Sequence, residues 1–371
     1  MARRFLFLYA TNACGHQVAA QAIRNNLHAL DPAIETAGID FFTSHTPNIA
    51  PILSRLYVEL MQHMSATWDY IYDSPEIAAR TSEFRRFFNF INKAKIHEDI
   101  ARFRPDAIVC TQAIPAGFVA RQKLDGKIPV PHFVVITDFV AHPYWPEYEV
   151  DNYFVPHDEI KHRLVERSIA QERITVTGIP INNDFGRRLP KTIARKRLGL
   201  SPHVPAVLIM GGSLGLGQIP EAISELIAWQ REIQLLVLPG YNQRLHDALA
   251  ESYGGNPCVR IFPHTDTVPA LMDAADVLIS KPGGLTSSEA LAKSLPMIIL
   301  KPLPGQEERN TSFLLRHAVA ERCSDIRRLP GIVERLLTEP RTLKKYQRNC
   351  AALSRPRAGR AIARQLLKML S

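Results

Sequence analysis

The chain has 371 residues, 46% apolar and 22% charged, which predicts two globular domains with buried cores. No run of about 18 apolar residues occurs, so no transmembrane helix is expected, and Phe5–Ala10 is too short for a signal peptide and reads as a first strand. Five scattered cysteines without a C-x-x-C pair predict neither a zinc site nor a disulfide framework, and point to the reducing cytoplasm. The net charge of +9 is uneven: residues 341–371 carry nine Lys/Arg and no acid. Such a tail suits an anionic membrane or an acidic substrate, or is a solvated helix face; with no nucleic-acid-binding motif in the chain, nucleic acid is the weakest partner.

In chain order, Phe5–Tyr9 ends at Thr11-Asn12-Ala13-Cys14-Gly15-His16. A helix is predicted next, with Val18, Ala19, Ala22, Ile23, Leu27 and Leu30 on one face. Strands are predicted at Ala107–Thr111, His132–Thr137 and Asn152–Val155, separated by helical stretches. Gly178–Asn182, followed by a basic stretch, reads as a domain junction. The pattern then restarts with strands at Ala206–Met210, Gln234–Leu238, Val259–Phe262, Val277–Ser280 and Met297–Leu300. Alternating strands and helices predict an α/β fold with a doubly wound parallel sheet in each half. The domains are placed at 1–185 and 186–350, with a basic C-terminal helix over 351–371.

Three segments of the second half carry candidate chemistry. The loop Gly211, Gly212, Ser213, Leu214, Gly215, Leu216, Gly217 follows a strand, where glycines let an anion approach the backbone. It matches neither a dinucleotide fingerprint nor a P-loop. The second segment runs Lys281, Pro282, Gly283, Gly284, Leu285, Thr286, Ser287, Ser288, Glu289. A strand ends there in a tight turn, and hydroxyl residues open a helix able to hold a diphosphate, with Glu289 placed for a ribose diol. An ordinary acidic helix start is the competing reading. The third segment is Pro304-Gly305-Gln306-Glu307-Glu308-Arg309-Asn310, where the amide of Gln306 and the carboxylate of Glu307 suit sugar hydroxyls, or form an ordinary polar loop. In the first half, His16 beside Gly15, and Asp138 and His142 after a strand, are base candidates, and Trp145 either walls an acceptor pocket or closes the core.

Taken in order, these motifs resemble the monogalactosyldiacylglycerol synthases and processive diacylglycerol glucosyltransferases of glycosyltransferase family 28. The peptidoglycan lipid-intermediate N-acetylglucosaminyltransferase is a more distant relative. The resemblance rests on Gly15-His16, Val135–Asp138, His142–Trp145, Val176–Pro180, Gly211–Gly215, Lys281–Thr286 and Pro304–Asn310. It implies a GT-B fold of two Rossmann-like domains facing across a cleft. It implies a UDP-sugar donor on the C-terminal domain, a diacylglycerol-type acceptor on the N-terminal domain, and inversion without a metal or other cofactor. By position, Gly211, Gly212, Ser213, Gly215, Lys281, Gly283, Gly284, Thr286 and Ser287 would meet the diphosphate, Glu289 the ribose, and Gln306 and Glu307 the sugar. His16 or Asp138 would be the base, with Gly15, His142 and Trp145 near the acceptor. The first loop departs from the family's glycine run, reading Asn12-Ala13-Cys14-Gly15-His16. Ser213 leans towards the peptidoglycan relative. The same motifs would also serve a soluble acceptor, a UDP-sugar epimerase, or a non-catalytic UDP-sugar or lipid sensor.

A lipid acceptor implies a membrane-facing surface. Ser82–Phe103 mixes Phe84, Phe87, Phe88, Phe90 and Ile91 with Arg85, Arg86, Lys93 and Lys95, a composition that suits an interfacial helix on anionic lipid; a stripe of core phenylalanines is the competing reading. A peripheral protein on the cytoplasmic face of the inner membrane is the expected setting.

Overall fold

A computed structural model describes residues 2–10, 14–41, 95–141, 145 and 148–371. The chain forms two compact units. The first comprises Met1–Asn182, Leu303–Gln306 and Arg357–Ser371, and the second Asn183–Pro302 and Glu307–Pro356.

The first unit contains β1 (Arg4–Tyr9), α1 (Cys14–Leu30), β2 (Glu35–Asp40), a helical stretch over 95–103, β3 (Ala107–Cys110), α2 (Ala113–Leu124), β4 (His132–Val135), β5 (Asn152–Val155), α3 (Asp158–Glu166) and β6 (Ile174–Val176). Its sheet has the order β2-β1-β3-β4-β5-β6 with every pair parallel. Successive side chains of a strand point to opposite faces, and each face has its own core. Leu6, Leu8, Ile108, Cys110, Val134 and Val155 fill one. Phe5, Phe7, Val109, Phe133, Val135 and Phe154 fill the other, under α1. Val18, expected on the buried face of α1, is instead 40% exposed, because it lies off the Ala19–Ile23–Leu27 line that meets the sheet.

The second unit contains α4 (Lys191–Arg197), β7 (Ala206–Met210), α5 (Ile219–Ala228), β8 (Gln234–Leu238), α6 (Gln243–Tyr253), β9 (Val259–Ile261), α7 (Val268–Ala274), β10 (Val277–Ser280), α8 (Gly284–Lys293), β11 (Met297–Leu300), α9 (Gln306–Arg316), β12 (Ala320–Cys323), α10 (Leu329–Thr338) and α11 (Pro340–Leu353). The sheet order is β12-β11-β10-β7-β8-β9, again all parallel. Counted within the unit this is 6-5-4-1-2-3, the order of a Rossmann fold. Val207, Ile209, Leu235, Val237, Val277, Ile279 and Ile298 form its core.

The last helix, α12 (Ala358–Met369), belongs to the first unit. Its Ala358, Gly359, Ile362, Ala363 and Leu366 are buried, and the last three join the Phe5–Phe7 core. A Cβ on Gly359 would come within 2.9 Å of Asn26 Nδ2 on α1, so the small residue sets how closely these helices pack. Arg360, Arg364 and Lys368 stay exposed. This part of the basic tail is therefore the polar face of an amphipathic helix.

Each sheet reverses direction once. In the first unit the chain builds β1 and β2, then crosses to β3 on the other side of β1. In the second it builds β7, β8 and β9, then crosses to β10 on the other side of β7. Loops at the carboxyl ends of strands flanking such a switch point part to opposite faces and leave a crevice.

Candidate functional site

In the second unit the crevice lies beyond β7 and β10. Ser280 Oγ donates to Met210 O at 2.9 Å and ties the two strand ends together. The loop after β7 needs its glycines for its own shape. Gly215 has φ +63°, and a Cβ there would sit 2.3 Å from Pro239 O. Ser213 is half-buried, and its carbonyl accepts from Tyr241 N at 2.8 Å.

Gly283 is different. Its φ is −64°, open to any residue, and among the described residues nothing lies within 4 Å of a Cβ placed there. Neither dihedral nor neighbours require glycine there, and the start of α8 is left open. Among the described residues no side chain caps this helix, so first-turn N–H groups and the positive dipole end face that space. The turn is fixed from behind by Asn310, fully buried, whose Nδ2 donates to Pro282 O at 3.0 Å.

Around this helix start, Lys281 Nζ pairs with Glu307 Oε1 at 2.8 Å, both side chains largely covered. Glu307, expected at the sugar, is thus engaged with the lysine expected at the diphosphate. Gln306 is the first residue of α9. Thr286 is half-buried. Ser287 is fully buried and among the described residues its Oγ has no hydrogen-bond partner, so its hydroxyl does not open onto the helix start; its backbone N–H bonds Gly283 O. Glu289, one turn further, is half-buried, and burial pushes its carboxyl up to about 7. A sequence reading missed Tyr241 and His264. Their rings stack at 3.8 Å and 17°, with Tyr241 59% exposed, after β8 and β9 respectively. Only their position just beyond strand ends signals them.

In the first unit the crevice lies beyond β1 and β3. His16, in the first turn of α1, has its Nδ1 3.0 Å from Thr137 Oγ1. Its carbonyl accepts from Thr111 Oγ1 at 2.9 Å. Two threonines at the ends of β3 and β4 therefore anchor it, and the sequence reading gave neither of them a role. Burial lowers the imidazole to about 4, opposed by a hydrogen bond to the Thr111 backbone, so the ring is neutral at pH 7. Gly15 and Asp138 are both half-buried; Asp138 directly follows the Thr137 that holds the histidine.

Trp145 requires a correction. It is 6% exposed and belongs to the core of the first unit, while its carbonyl accepts from Arg167 Nη2 at 3.3 Å. Its large apolar ring closes the core rather than walling an acceptor pocket. His142 lies outside the described residues, as do residues 82–94 of the aromatic and basic segment. The described remainder turns Ile96, Ile100 and Phe103 onto the core. Among the described residues no helix is long and apolar enough to cross a membrane.

The monogalactosyldiacylglycerol (MGDG) synthase family matches residues 16–181, starting at His16. The glycosyltransferase family 28 C-terminal domain matches residues 206–358. A processive diacylglycerol beta-glucosyltransferase of Bacillus subtilis is 26% identical over 99% of this chain and 95% of its own length. One from Bacillus cereus (strain 03BB102) is 30% identical over 85% of this chain and 81% of its own. Among solved structures, Acinetobacter baumannii MurG superimposes with a TM-score of 0.62 at 14% identity, covering 99% of this chain and all of the other; this likeness concerns the GT-B fold. With a Rossmann crevice in each unit and both family matches spanning them, the chain belongs to the glycosyltransferase family that includes the MGDG synthases and the processive diacylglycerol glucosyltransferases.

Proposed function

We propose that this protein is an inverting hexosyltransferase that moves glucose or galactose from a UDP-sugar to a diacylglycerol-type lipid at the cytoplasmic surface of a membrane. The observation that carries the donor half is the open start of α8, where Gly283 leaves room that the fold itself does not use. The diphosphate sits on those N–H groups with Lys281 beside it, Glu289 accepts from the ribose hydroxyls, and the exposed Tyr241–His264 pair offers an aromatic surface to the base. Sugar hydroxyls meet Gln306 and Glu307. As the glycosidic bond to UDP breaks, negative charge grows on the departing phosphate, where oriented N–H groups and Lys281 stabilise it without a metal.

The acceptor hydroxyl attacks the anomeric carbon from the opposite face and loses its proton to His16 or Asp138. A neutral imidazole held by Thr137 and Thr111 can accept that proton. The sugar passes through an oxocarbenium-like state.

The test is incubation with radiolabelled UDP-glucose or UDP-galactose, with and without diacylglycerol in anionic vesicles, followed by lipid extraction. Label in the lipid with one donor establishes the reaction and names the sugar. UDP-sugar binding without labelled lipid points to another acceptor. Absence of UDP-sugar binding overturns the donor assignment.

A further inference from the structure

A cavity of about 730 Å³ opens in the second unit at the other end of α8 from Gly283. Ten residues separate its two ends, roughly 15 Å along the axis. Arg188, Lys293, Ser294, Arg341, Lys344 and Arg348 line it. Two of the five cations build its floor. Lys293 is fully buried and bonds Asp273 Oδ2 at 2.7 Å and Arg187 O at 2.6 Å. Arg188 bonds Ala292 O through Nε at 3.2 Å and Nη2 at 3.1 Å, and also Ser294 Oγ, capping the carboxyl end of α8. The negative end of that helix dipole is therefore masked from the cavity.

The other three cations form the wall. Arg341, Lys344 and Arg348 stand three and four residues apart on α11, so they share one face. All three are exposed. Among the described residues, no carboxylate pairs with them or with Arg188. Glu339, which precedes the helix, accepts from Thr342 Oγ1 at 2.8 Å. Like charges at these spacings repel one another. Here they surround one concave space beside Arg188, a fourth cation with no carboxylate partner among the described residues, an arrangement matched to a small, highly charged anion. Guanidinium forks and an ammonium suit the three terminal oxygens of a phosphate.

We propose that this cavity binds a phosphomonoester dianion, separately from the donor cradle. The group is either a soluble organic phosphate or the headgroup of a lipid that ends in one. Two measurements on the full chain separate the sources. Titration calorimetry with glycerol 3-phosphate, with saturating UDP filling the donor cradle, reads the soluble source. Flotation with phosphatidylcholine vesicles, plain or containing phosphatidate, reads the lipid source. In whichever arm the wild type binds, Arg341→Ala/Lys344→Ala/Arg348→Ala binds about tenfold more weakly or worse. The control Lys345→Ala/Arg360→Ala/Arg364→Ala removes the same charge outside the cavity and binds as wild type. Should the cavity triple variant melt early, Arg348→Gln alone shows the same selectivity with a smaller loss. The proposal is overturned if the wild type binds neither probe, if the cavity variants bind as wild type, or if both triples lose binding equally. Binding is the readout throughout, so the result is independent of whether sugar transfer is observed.

Discussion

Replacing Glu289 by Gln sets stability against binding. Burial moves this carboxyl from its ordinary 4.5 to about 7, and among the described residues no partner compensates the ionised form. The folded state therefore holds a proton that the unfolded chain gives up between pH 4.5 and 7. The penalty is absent below that window and complete above it. At pH 8 it amounts to about 3 kcal/mol if undiminished, and about 1–3 kcal/mol once water at the half-exposed edge is allowed for. Glu289→Gln removes the ionisable group. Urea unfolding should show a variant more stable than wild type by about 1–3 kcal/mol at pH 8 and equal to it at pH 4. UDP binding should move the other way. Charge-assisted hydrogen bonds to a ribose diol contribute about 1.5–3 kcal/mol, so calorimetry at pH 8 should show affinity reduced roughly 10–100-fold. A variant that is more stable yet binds UDP as wild type would refute the ribose role. A variant with unchanged stability at pH 8 would refute the account of the buried charge.

Two glycines should respond oppositely to alanine. Gly283→Ala has room for its methyl group and an allowed backbone, so melting should be unchanged while UDP affinity falls about tenfold or more; Gly215→Ala, 2.3 Å from a carbonyl, should cost about 1–3 kcal/mol of stability. Normal UDP binding by Gly283→Ala removes the case for the cradle. Thr137→Val takes the hydrogen bond from His16 and should lower kcat about 2–10-fold with little change in KM. Thr137→Ser should restore the rate; failure of that rescue would mean the effect is only structural. The first unit should also weaken in mild acid. Burial holds His16 and the fully buried His132 neutral, each near 4. Each ring's stabilising contribution is therefore complete above about 6.5 and lost as pH falls towards 4, and urea midpoints should drop between pH 7 and 5. A flat profile there would contradict the burial of these rings.

The strands legible in the sequence are the interior ones, and one edge strand. Val277–Ser280, Met297–Leu300 and Asn152–Val155 are buried at every position, so they read as mostly apolar runs without alternation. The missed strands, β2, β6 and β12, are all sheet edges. With one neighbour each and partly exposed faces, sequences such as Glu-Thr-Ala-Gly-Ile-Asp carry no such run. The candidate donor loops are visible as glycine clusters placed directly after strands, weak signals singly that gain weight from their order along the chain. The anchoring of His16 was not, since Thr111 and Thr137 lie 95 and 121 residues from it and meet it only through the sheet order. Trp145 went astray for the opposite reason: an indole beside polar residues looks like a ligand wall until burial is known. The order of the motifs, more than any one of them, made the family recognisable.

The return of α12 to the first unit bears on how the chain matures during synthesis. The face made by Phe5, Phe7, Phe133 and Phe154 is completed by Ile362, Ala363 and Leu366. Between Asn182 and Arg357 the ribosome makes the whole second unit, which at about 5–20 residues per second takes roughly 10–40 s. For that interval the first sheet waits with an apolar flank uncovered, although its strands emerged first. The second unit can close while the first is still unfinished. A nascent-chain chaperone would find its binding surface on the older half of the molecule, and release would come only with the last helical turns.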